Sequence, residues 1–172
     1  MKFFFLLVFF CFSACAGVTG TGNPCVDQDC LEATGQGVPI YHNSDFGISL
    51  RLYSWSANEL GVSSEAALSG GATEQVLTVQ LSDGSTQTMT VQARKLNTSG
   101  NLPVLLVQLY PDVQQHVYSG TYEQGYWLID PVGSERVYFF LAAQTLVSMR
   151  VRVLDEDEVY EAVISTLYTA PH

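Results

Sequence analysis

Asp83-Gly84 sits between two runs, residues 75–81 and 86–93, in which apolar side chains recur at every second position. Asp-Gly supplies the positive backbone φ angles of a tight turn, so the two runs are predicted to fold back on each other as an antiparallel hairpin. Leu77, Val79 and Leu81 align on one face of the first arm, and Met89, Val91 and Ala93 on one face of the second. A period of two places these side chains on a single buried side, and a slip of one residue would turn all of them to water.

The same reading extends along the chain. Residues 45–53 alternate, with Ile48, Leu50 and Leu52 against Ser49 and Arg51, a half-buried strand that Ser54-Trp55-Ser56 ends. Residues 57–71 are mixed, with a short helical candidate at 64–68 and a Ser-Gly-Gly break. Residues 97–101 read as a loop, and Asn97, although it heads an N-x-S sequon, as turn chemistry. Residues 103–109 (PVLLVQL) are continuously apolar and are expected to form a strand covered on both faces. Three further strands are predicted at 125–129, 136–142 and 146–154. A closing helix follows, with Asp155 as its cap, Glu158 at the capping-box position, and Val159, Val163 and Leu167 as an apolar stripe beside Tyr160 and Ile164. Capping accounts for the acidic run at 155–158, which lacks the alternating ligands and central glycine of a calcium loop. The expected fold class is α+β: an antiparallel β-sheet flanked by helices, with the C-terminal helix packed on the sheet.

The N-terminal stretch carries an address. Lys2 precedes an apolar run, 3–12, which leads into Ser13-Ala14-Cys15, the layout of an export signal. Phe12-Ser13-Ala14-Cys15 resembles the lipobox of bacterial lipoproteins, with Phe12 where leucine is usual. That resemblance makes residues 1–14 a signal peptide and Cys15 the lipidated first residue, held in the lipid bilayer by two or three acyl chains. Each buried methylene contributes about 0.8 kcal/mol, so two chains hold where one does not. Ala16, not aspartate, follows the cysteine, which in enteric-type bacteria favours the outer membrane. Ala14-Cys15-Ala16 also reads as an A-x-A cut site, and the alternative is therefore a secreted or periplasmic protein. A spanning anchor fails on length, since it needs about 20 apolar residues and the run breaks at Gly17. Cys11 lies inside the apolar run and would leave with the signal. Residues 15–39 then hold a Gly-rich tether and Cys25 and Cys30, which in an exported chain are expected to form a local disulfide. Metal binding with Asp27 and Asp29, or redox chemistry, are the competing readings of that pair. Residues 40–172 form the expected globular domain.

Composition excludes several functions. Acidic residues outnumber basic ones 17 to 7 and the net charge is −10. Beyond the leader Lys95 is the one lysine, so no basic patch can neutralise phosphates and nucleic-acid binding is not expected. The protein surface is disfavoured on anionic headgroups for the same reason, which leaves the membrane contact to the lipid. His42, His116 and His172 stand in no H-E-x-x-H pair, and no G-x-S-x-G, G-x-G-x-x-G or Walker loop is present. No catalytic residue, metal or cofactor is therefore expected, although a triad is defined by geometry and not by order. Trp55, Tyr110, His116, Tyr118 and Trp127 are candidates for a ligand-binding face. The competing reading is core packing for the tryptophans and edge positions for the tyrosines.

Tyr41-His42-Asn43-Ser44-Asp45-Phe46-Gly47-Ile48-Ser49-Leu50, followed by Trp55, is similar to the opening strand of PsbP-like domains, and Val159 to Leu167 to that family's closing helix. Ser54 replaces the usual proline before the tryptophan, Leu167 replaces a final aromatic, and the family's middle helix is not legible between Leu96 and Gly125. The resemblance implies an antiparallel sheet with helices on its faces and no catalysis. Members serve as accessory subunits of photosynthetic complexes, as binders of a nuclear-transport GTPase, or as bacterial lipoproteins. No functional residue carries over. The expectation is a non-enzymatic envelope lipoprotein domain that binds or supports a protein partner. The alternative is a secreted or surface ligand-binding protein or enzyme.

Overall fold

The computed structural model describes residues 39–169 apart from 69, 85, 86, 122, 133, 134 and 153–156. Cys15, Cys25 and Cys30, and with them the signal, tether and disulfide expectations, lie outside the described residues, as do Asp155 and His172.

Among the described residues ten strands and two short helices follow one another, and every strand pairing is antiparallel. The large sheet joins two meanders. The first is β3 (Ser56–Ala66), β4 (Thr73–Ser82) and β5 (Thr88–Lys95). The second is β6 (His116–Ser119), β7 (Gln124–Asp130), β8 (Glu135–Ala142) and β9 (Thr145–Arg152). They meet where β5 pairs with β9, Val91 opposite Met149, which gives the order β3-β4-β5-β9-β8-β7-β6. A smaller sheet orders β1 (Ile40–Asn43), β2 (Ile48–Arg51) and β10 (Tyr168–Thr169) as β1-β2-β10. Helix α1 (Leu102–Leu109) connects the two meanders, and α2 (Asp157–Ile164) connects β9 to β10.

Paired residues in a sheet share a face, so the register sorts the side chains into two layers. On one side Leu77, Val79, Leu81, Met89, Val91, Val147 and Met149 form a core with Phe46, Ile48 and Leu50 of the small-sheet region and Tyr160, Val163 and Ile164 of α2. On the other, Val137, Phe139, Leu128 and Leu146 meet Leu102 and Leu106 of α1. Each such side chain, fully buried, contributes about 1.5–3 kcal/mol, which is what holds two eight-residue helices too short to persist alone.

The hairpin at Asp83-Gly84 is found, with Gly84 at φ 84° and Leu81 opposite Met89, but its arms close at Ser82 opposite Thr88, so the connection spans residues 83–87 and is not the tight two-residue turn expected. The three later strands also fall within a residue or two of their predicted bounds. Three other expectations are corrected. Residues 103–109 form no strand but lie in α1: the Asn101 side chain accepts the Val104 amide at 3.4 Å, and Pro103 stands in the first turn, where its missing N–H costs nothing. Leu102 and Leu106, four apart, supply the buried face. The helical candidate at 64–68 is no helix: residues 64–66 end the long edge strand β3, which takes in most of the mixed stretch. Its side chains are mostly exposed, so no alternation marks it, and ten residue pairings with β4 override weak local propensity. The strand predicted at 45–53 is shorter, because Asn43 accepts the Phe46 amide at 3.2 Å and Gly47 takes φ 64°, a turn that brings the unpredicted β1 beside β2.

Candidate functional site

Three of the five candidate side chains come together. On β6, β7 and β8 the register sets His116 opposite Trp127 and Trp127 opposite Tyr138, and in the next row Tyr118 opposite Gly125 and Gly125 opposite Phe140. Glycine is required there: a Cβ on Gly125 would stand 2.2 Å from the Phe139 carbonyl oxygen and 2.8 Å from a ring carbon of Phe140. The empty position lets Tyr118 meet Phe140 edge-on at 5.7 Å and Tyr138 at 5.1 Å. Burial, then the charge of Glu161, then Tyr138 push the Tyr118 hydroxyl up to about 12.

Trp127 is flanked from both neighbouring strands. The His116 ring stacks on it at 4.1 Å and 14°, and the Arg136 guanidinium of β8 lies over it at 4.8 Å. Arg136 also donates to the Tyr138 hydroxyl at 3.3 Å. A flat ligand such as a sugar ring would need one of the indole faces that His116 and Arg136 cover. The stack thus supplies cohesion to the short edge strand.

The other two candidates stand apart. Trp55, 4 % exposed, is core, tilted against Tyr160 at 5.5 Å. Tyr110 lies on the opposite side of the sheet, against Phe139 at 5.8 Å, and its hydroxyl accepts from Arg150 at 3.2 Å. Burial alone would lower the Arg150 pKa. Its bond to Asp130 at 2.8 Å and its contact with Tyr110 outweigh that and raise it. Among the described residues no group of three or more His, Cys, Asp or Glu could hold a metal ion.

Sequence reasoning missed a second feature. On the α1 side a cleft of about 300 Å³ opens beside β6, lined by Leu102, Val117, Tyr126 and Leu141 with the amides of Asn101 and Gln124. Val117 is 72 % exposed, and Val104 and Val107 of α1 are exposed too. The signal was available in the sequence, since residues 96–111 contain no charged side chain in a chain of net charge −10. A helix apolar nearly all round, left on a surface, marks an interaction face more than a solvated one.

No protein-family model, no characterised protein and no solved structure matches this chain.

Proposed function

We propose that the chain is a bacterial envelope lipoprotein, anchored through acylated Cys15, whose β-rich domain binds a protein partner and performs no catalysis of its own. One observation carries the binding part: the longest charge-free stretch after the leader, residues 96–111, contains helix α1, which leaves an exposed apolar face beside an open sheet edge. Two-sided coverage of the Trp127 ring and burial of Trp55 weigh against a ligand face built from the aromatic residues. The reading also retains a PsbP-like arrangement as the finer fold. It is supported by α1, which lies between Leu96 and Gly125 where that family carries its middle helix, and by the burial of Tyr160, Val163 and Ile164 of α2 in the core beneath the large sheet.

The test is photo-crosslinking in native membranes from Val107, which is 56 % exposed on α1. An envelope protein crosslinked from this position, and not from the exposed Leu60 on β3, is the expected result. Absence of any crosslinked envelope protein would contradict it.

A further inference from the structure

Both ends of the large sheet present a row of backbone donors and acceptors that no described strand pairs. The two ends differ. Edge strand β3 is guarded: its register shifts at Glu59/Gly61, Gly61 takes φ 118°, and Glu59 and Glu65 put charge along it. A bulge breaks the edge into short lengths, and like charges repel a second copy. Edge strand β6 (HVYS) carries no bulge and no carboxylate, and a cleft lies alongside it.

We propose that the open edge of β6 takes an extended, uncharged segment of a partner protein as an eighth strand, with one apolar side chain of that segment seated in the cleft. The register fixes which one. Val117 is opposite Tyr126, and both line the cleft, so the guest residue opposite Val117 points to that same side. Its neighbours along the strand point to the other side, toward His116 and Tyr118. The cleft volume of about 300 Å³ is at the small end for ligand sites and suits a single side chain. No lining residue is charged, so a guest lysine or glutamate would lose hydration and gain no partner. An acyl chain would fill the cleft but leave the β6 amides and carbonyls unpaired, which is why the occupant is polypeptide and not lipid. The proposal rests on the binding reading above. Its failure would be distinguishable from the failure of that reading, because acylation and envelope crosslinking are measured separately.

The test uses the purified full chain and a short peptide of alternating threonine and valine with blocked ends, alone and N-methylated at alternate residues in each of the two registers. Backbone amide exchange across β6 is read with and without peptide. The expected result is slowed exchange within β6, lost on N-methylation in one register and kept in the other. Binding should be roughly tenfold weaker in Val117→Lys and unchanged in Leu60→Lys on β3. Both positions are exposed, so both variants should fold, with far-UV circular dichroism as the check. No slowing, equal sensitivity to both N-methyl registers, or slow exchange already present without peptide would overturn the proposal. So would a chain that ignores the peptide and binds phosphatidylcholine vesicles through Val104.

Discussion

Replacing Glu74 with alanine should unfasten one end of the first meander. The Glu74 carboxylate is buried, with 1 % of its side chain exposed, and three donors converge on it. They are the Leu68 amide at 3.2 Å, the Asn97 amide at 3.1 Å and Arg94 Nη1 at 3.4 Å. One side chain thus ties the turn after β3 to the loop after β5. The Asn97 side chain, donating to the Ala72 carbonyl at 3.1 Å, reinforces the same tie. A buried donor left without its acceptor costs about 1–3 kcal/mol. Arg94 keeps Glu65 and the Ala66 carbonyl, and both loops can admit water, so each of the three losses falls at the low end of that range. The expected total for Glu74→Ala is about 3 kcal/mol, a large share of the 5–15 kcal/mol typical of a domain. Glu74→Gln keeps an acceptor oxygen and should lose about half as much. Urea unfolding followed by circular dichroism should show a midpoint lower by about 1–2 M with an unchanged slope, and the Leu68 and Asn97 amides should exchange faster. A Glu74→Ala loss within about 0.5 kcal/mol, with those two amides unaffected, would refute the reasoning.

Three further outcomes are expected. Gly125→Ala forces backbone or the Phe140 ring to move and should cost about 1–3 kcal/mol, measured by the same unfolding curves. Ala143→Gly should add about 0.5–1 kcal/mol, because Ala143 holds φ 51° in the turn between β8 and β9, a conformation glycine adopts freely. The Tyr118 hydroxyl is raised from 10.0 to about 12, so the unfolded chain releases that proton first as pH rises. Stability should therefore be intact below pH 10 and fall between pH 10 and about 12, and Tyr118→Phe should make that fall shallower.

Where burial is one-sided the fold was legible. The arms of the Asp83-Gly84 hairpin and β9 carry alternation because one face of each packs in the main core, whereas β7 and β8, covered on both faces, show as unbroken apolar and aromatic runs. Helix α1 was misread because an unbroken Leu/Val run has no period. Asn101 and Pro103 were the informative residues, as a cap and a first-turn proline. Edge strand β3 hid for the opposite reason, since a strand exposed on most of its length has no apolar side to alternate. Of the candidate site, aromatic type alone grouped five residues. Packing put Tyr110 on the far side of the sheet and Trp55 in the core, while strand register kept His116, Tyr118 and Trp127 on one face. The cleft beside β6 brings residues of α1, β6, β7 and β8 together, and no local pattern encodes that meeting.

The central claim is an anchored domain that works by binding, and the anchor is its most direct point of test. Intact-protein mass spectrometry of membrane-extracted wild type and Cys15→Ser should give a chain that begins at Cys15 and carries acyl mass in the first and no such species in the second. A lipid-free chain beginning at Gly17 in the wild type would contradict the anchored account and make the protein a secreted one.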